Sequence, residues 1–256
     1  MTSVKAGAKE ILASLQYLFQ GTDKAIDASE DDFPHIDFSK YRSIENTLKT
    51  DGFKKIGDIE LVNISNDPTG VFRKTLIRSF VSQDNGSVVS CYELRPKWSR
   101  ILLLLVRGVL ALRWIAAPRF FLSMIPPRFI LDIETELSDG SFVVTANAQA
   151  AGFLSGPPTV DELYLPYGTG LEKLWELHLL RLKEKIVGEV SLRAIRDKVA
   201  LRKMQDRLKM EKTAHRSSSN WIKKEEIQAM CQGHSELAKL VYEELQNQIM
   251  DQSRTG

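Results

Sequence analysis

Apolar positions recur at helical spacing over residues 3–20, where Val4, Ile11, Leu15, Leu18 and Phe19 fall close to one stripe. The stretch Gly21 to Asp37 that follows carries six acidic residues, shows no apolar period and reads as a solvated linker. A second, short helix is predicted over 39–50. It stops at Asp51-Gly52, where a glycine suits a left-handed C-terminal cap.

The pattern then shortens to that of strands. Residues 55–64 carry Ile56, Ile59, Leu61, Val62 and Ile64, ahead of the turn signal Asp67-Pro68-Thr69-Gly70. Residues 71–82 and 87–94 flank Asp84-Asn85-Gly86, and Asn-Gly is a strong hairpin signal because tight turns need positive φ there. Over 129–137, Phe129, Leu131, Ile133, Thr135 and Leu137 alternate with Asp132, Glu134 and Glu136. Asp139-Gly140 turns the chain into 142–149, whose apolar face is Phe142, Val144, Ala146 and Ala148, with Thr145, Asn147 and Gln149 as a polar row. Such half-polar faces belong to an antiparallel sheet that is wet on one side or lines a cavity.

Residues 150–168 are rich in Gly and Pro and read as loop. Thr169-Gly170-Leu171-Glu172 fits a capping box opening a helix to about 186, with Leu171, Leu174, His178, Leu182 and Ile186 on one face. A basic helix follows over 189–212, then a polar joint at 215–219. A last helix spans about 221–250, with a break expected at Gly233 and a packing face of Ile227, Met230, Leu237, Leu240, Val241, Leu245 and Ile249. The pattern predicts an α+β protein: an antiparallel sheet of about five strands, flanking helices, an apolar basic insert between strands and a helical C-terminal extension. Three parts follow: a helix and acidic linker over 1–38, the α+β domain over 39–187, and the helical extension over 188–256.

The insert, 98–127, is the feature that departs from a plain globular pattern. No acidic residue occurs between Glu93 and Asp132, while Arg95, Lys97, Arg100, Arg107, Arg113, Arg119 and Arg128 do. Ten Leu, Ile and Val side chains over 101–117 favour bilayer insertion by about 3–6 kcal/mol, and Arg107 and Arg113 oppose it by about 5–7 kcal/mol. Topology decides the matter. If the flanking strands share a sheet, both ends of the insert lie on one side, and about 30 residues are too few for two crossings. The expected arrangement is a pair of short helices at the surface of an anionic membrane. Trp98 and Trp114 sit at headgroup level, Arg100, Arg107, Arg113 and Arg119 reach phosphates, and Phe120 and Phe121 enter the acyl region. A protein–protein interface, including a homo-oligomer contact, and a buried core helix are the alternatives.

Composition narrows the rest. With 35 basic and 33 acidic side chains the net charge is +2, so bulk charge does not mark a nucleic-acid binder. Cys91 and Cys231 are the two cysteines, which excludes a disulfide framework and a thiolate zinc site, and no signal segment opens the chain, so a cytoplasmic location, at most at a membrane face, is expected. No nucleotide-binding or metal-binding motif occurs, so neither cofactor nor metal is expected. The weak catalytic candidates are His178, on the apolar stripe of its helix, and Glu134, which His178 would face across the sheet if it acted as a base. The bland reading of His178 is a satisfied core histidine, and that of Asp132, Glu134 and Glu136 a solvated outer face. The eight cations over 193–212 are interspersed with acids and lack aromatic neighbours, which points to a solvated or partner-binding helix rather than nucleic acid. The expected function is a non-enzymatic peripheral membrane or scaffold protein docking through 98–127, its C-terminal helices offered to a partner. The alternative is a small-molecule-binding protein or enzyme with its pocket between the sheet and helix 170–186.

Overall fold

The computed structural model describes residues 2–20, 25–62, 73–95, 97, 128–149, 154–231 and 234–255. The predicted insert at 98–127 lies outside them. The strands are β1 (Ala25–Asp27), β2 (Lys54–Leu61), β3 (Leu76–Val81), β4 (Ser87–Leu94), β5 (Arg128–Glu136), β6 (Phe142–Ala146) and β7 (Val160–Tyr164). They form one sheet in sequence order, antiparallel throughout except for the parallel pair β6–β7. The helices are α1 (Thr2–Gln20), α2 (Ser39–Thr50), α3 (Leu171–Lys185), α4 (Lys198–Ser218), α5 (Lys224–Met230) and α6 (Ser235–Thr255).

The fold is α+β as expected, but the sheet has seven strands rather than about five and is mixed. The two additional strands are short edges that carry acidic residues, Asp27 in β1 and Asp161 and Glu162 in β7. β7 lies in the segment read as loop, where Asp161 and Glu162 hide the alternation between prolines. β1 lies in the segment read as a solvated linker. Its described part, residues 25–37, is structured: a 3-10 turn at Glu30–Asp32 leads into Phe33 and Ile36, both buried in the core, and Glu30 pairs with Arg78.

One face of the sheet packs against α2 and α3. Leu76, Phe80, Val89, Cys91, Leu131 and Ile133 meet Tyr41, Leu48, Leu171 and Leu174. The Gly52 cap takes the predicted positive φ of 82°. At the start of α3 the capping box is replaced: Gly170 is the N-cap, and Thr169 Oγ1 donates to the Pro166 carbonyl instead. The buried Arg78 on this face binds Asp58, Glu30 and Glu45 at 2.8–2.9 Å, so a guanidinium removed from water keeps its counter-charges.

The opposite face is covered by α4, whose Leu201, Met204 and Leu208 form a short stripe at helical spacing against Val81, Val88, Phe142 and Val144. The basic helix begins at Lys198, nine residues later than predicted, because Asp197 caps it by accepting from the Ala200 amide. Beyond it, α1, α5 and α6 pack on each other through Leu12, Leu15, Trp221, Ile227 and Leu245. The predicted packing face of the last helix meets α1. The buried pair Arg216–Glu226, 2.8 Å apart, anchors α5 to the end of α4, and Ser155 caps the same carboxylate.

Candidate functional site

Register lays out the α4 face of the sheet in rows. Ile59, Ile77 and Tyr92 stand side by side, then Ser79, Ser90, Asp132 and Ala146, then Val81, Val88, Glu134 and Val144. The Val81 end is filled by the α4 stripe. Towards the Tyr92 end the sheet and helix diverge and leave a cavity of about 540 Å³. Phe19, Ala25, Ile59, Leu61, Ile77 and Leu208 supply its apolar wall. Ser90, Tyr92, Asp132 and Glu134 rise from the floor, and Arg202, Gln205, Asp206, Lys209 and Lys212 flank them from α4.

Asp132 and Glu134 are half-buried, because part of each faces the cavity, yet Asp132 Oδ1 and Glu134 Oε2 are fully buried and find no hydrogen-bond partner. Burial holds the Asp132 carboxyl well above the usual carboxylate range, and the neighbouring Glu134 charge adds to it, with Lys212 opposing. Burial also raises Glu134, against the pull of Lys212 and a hydrogen bond with Gln205. Lys212 itself is committed to Glu162 at 2.7 Å, and Tyr164 donates to that same carboxylate oxygen. The next acid on the strand face shows what a settled site looks like. Glu136 is more deeply buried but takes Arg207 Nε at 2.7 Å and Arg193 at 3.3 Å. An unmet buried polar group costs about 1–3 kcal/mol, and the chain bears two side by side. The expectation that these acids form a solvated outer face is therefore corrected: α4 roofs Asp132 and Glu134 over, and Glu136 is buried under two arginines.

His178 lies on the other face, fully buried in α3. Its Nε2 meets Thr135 Oγ1 at 2.8 Å and its Nδ1 meets Thr145 Oγ1 at 2.9 Å. Arg181 donates to Thr145 Oγ1, which turns that hydroxyl's proton toward Nδ1; Nε2–H then donates to Thr135, which contacts Ser87 Oγ at 2.7 Å. The ring stacks on Trp175 at 5.9 Å. Burial and the nearby Arg181 cation depress its pKa to about 3. So His178 is a neutral link between two strands, and the sheet separates it from Glu134. The polar row of Thr145 and Asn147 belongs with it, since Thr145 lies on the α3 face and Asn147 Oδ1 accepts from the Leu131 amide.

Leu171, Leu174 and His178 of α3 pack on the sheet where the alternative reading put a pocket, and the cavity beneath α4 stands on the opposite face. Trp98, Arg100, Arg107, Arg113, Trp114, Arg119, Phe120 and Phe121 lie outside the described residues. Cys91 is buried, which pushes its thiol up to about 12. Among the described residues no group of three or more His, Cys, Asp or Glu side chains could hold a metal ion, and no helix is long and apolar enough to cross a membrane. Several cations of the basic helix pair within the chain, Lys198 and Arg202 with Asp27 and Arg207 with Glu136.

Sequence reasoning missed the cavity's roof. The signal was present in Leu201, Met204 and Leu208, a three-residue stripe outnumbered by eight cations. Comparison with protein-family models, with curated proteins and with solved structures returned no match.

Proposed function

We propose that the protein binds a small, largely apolar molecule in the cavity beneath α4 and meets that molecule's polar end with Asp132 and Glu134. The observation that carries this reading is the pair of buried carboxylate oxygens without partners in the wall of a cavity of about 540 Å³. That volume falls within the ~300–1,000 Å³ typical of small-molecule sites, and the wall has their character, apolar with a few convergent polar groups. Among the described lining residues there is no histidine or cysteine, and Ser90 is engaged by Ser79 at 2.9 Å, which supports binding rather than covalent chemistry. The test is a fluorescence titration with Nile red, a neutral apolar dye. Saturable binding at one site is expected, and Gln205→Trp, which fills the cavity from α4, abolishes it. Dye binding that is absent, or unaltered by Gln205→Trp, defeats the reading.

A second reading concerns segment 98–127, as docking on the surface of an anionic membrane. Its support is the pairing of Leu94 with Arg128 across β4 and β5, which places the two flanks of the segment side by side at one end of the sheet. A segment that leaves and returns at one point suits an in-plane or dipping arrangement better than a crossing. Flotation with anionic vesicles, compared with a variant whose 98–127 is replaced by a Gly/Ser linker, tests it. Binding confined to the intact chain and weakened by salt is expected; equal behaviour of the two proteins refutes it.

A further inference from the structure

Among the described residues, the open hydrogen-bonding atoms of the cavity are two neighbouring acceptors, Asp132 Oδ1 and Glu134 Oε2, and one donor, Arg202 Nε. Two of the three cations that line it are drawn to other carboxylates: Arg202 lies 3.6 Å from Asp27, and Lys212 is held by Glu162 at 2.7 Å. At the Asp132–Glu134 corner the open capacity is that of acceptors, one oxygen on each carboxylate. Charge at that corner points the same way. The charges acting on Asp132 are Glu134, Glu162 and Lys212, so with one proton retained by the Asp132–Glu134 pair one negative charge is left in excess there. A carboxylate or phosphate ligand would add to that charge. A hydroxyl would offer a single donor and leave the charge unmatched. A quaternary ammonium would match the charge and offer no donor. A protonated primary or secondary amine supplies both a positive charge and at least two N–H donors.

From this we infer that the cavity's ligand is an amphiphile with a protonated amine at one end, the ammonium lodged between Asp132 and Glu134 and the apolar body lying along Ile59, Ile77, Leu61 and Phe19. The inference rests on the cavity being a binding site and goes on to name what it takes. Binding is a simple association: the ammonium donates to Asp132 Oδ1 and Glu134 Oε2, and any proton the pair shares passes to solvent. Affinity therefore rises with pH until both carboxyls are ionised, and falls again only when the amine itself loses its proton.

The experiment compares four probes that share one chain, namely decylammonium, decyltrimethylammonium, decanol and decanoate, below their micellar concentrations at pH 7.5. Each displaces Nile red from the intact protein and from Asp132→Asn/Glu134→Gln, with circular dichroism confirming that the double variant is folded. Decylammonium is expected to bind at least tenfold more tightly than the other three, and the double variant to lose that preference. Decanol, decanoate or the trimethyl probe binding as well as decylammonium would overturn the ligand class. So would an undiminished preference in the double variant. Nile red binding that Gln205→Trp abolishes, with no displacement by decylammonium, would overturn this inference and leave the binding site standing; loss of dye binding altogether would remove both.

Discussion

Acid should destabilise this fold through His178, and the size of the effect follows from its surroundings. The imidazole is completely buried, both nitrogens are engaged by threonine hydroxyls, and its folded pKa is about 3 against an ordinary 6.5. Because the folded value is the lower one, the unfolded chain takes the proton first. The contribution to stability is complete above pH 6.5 and is lost as pH falls toward 3. At pH 4.5 the loss is about 2.7 kcal/mol, and near pH 3 it approaches about 4–5 kcal/mol. His178→Gln removes the titrating group and keeps an amide that can bond one of the two threonines. Urea unfolding of both proteins at pH 7.5 and 4.5 isolates the effect, since all other groups titrate alike in the pair and cancel in the difference. At pH 7.5 the variant should be less stable by about 1–3 kcal/mol, the cost of the hydrogen bond it cannot replace. At pH 4.5 that gap should close by about 2–3 kcal/mol. An unchanged gap would refute the neutral, inaccessible imidazole on which the reasoning depends.

Three further outcomes follow from the ionic groups. Asp132→Asn/Glu134→Gln should be more stable than the intact protein at pH 7.5. The folded carboxyls sit above their unfolded values, so stability falls as pH rises through that interval, by about 1.4 kcal/mol per unit of separation, and thermal melts of the two proteins should converge near pH 4. Arg78→Met strands Asp58, Glu30 and Glu45 around an apolar side chain and should cost about 3–5 kcal/mol in denaturant unfolding, whereas an exposed pair such as Lys173–Glu176 should cost less than about 1 kcal/mol when broken. Glu226→Gln leaves Arg216 buried without its counter-charge, and limited proteolysis should then cut between α4 and α5 far faster than in the intact chain.

The parts of this architecture that were legible in the sequence are those where a single rule operates. The alternation from Phe129 to Leu137 placed Asp132, Glu134 and Glu136 on one face and Ile133 and Thr135 on the other, and the sheet keeps that division. Helix α2 ends at the glycine the pattern named. The rest depended on what lies across from each residue. No period in the sequence says that Thr135 and Thr145 would come together around His178, or that Glu136 would find Arg207 while Glu134 two residues earlier would not. Edge strands β1 and β7 were obscured because an edge buries one face at most and tolerates charge on it. The packing of helix α4 on the sheet was obscured by its own cations, most visibly Arg207, Lys198 and Lys212, which reach past the apolar stripe to acids on the sheet and its edges.

The binding site beneath α4 is tested most directly by methyl resonances. Ile59 and Ile77 line the cavity, while Ile133 and Ile36 lie in the core on the other side of the sheet. With isoleucine methyls labelled, titration of Nile red should shift Ile59 and Ile77 in a saturable way and leave Ile133 and Ile36 in place. Shifts that fall on Ile133 and Ile36, or that spread over all four without saturating, would contradict a cavity that takes a ligand between α4 and the sheet.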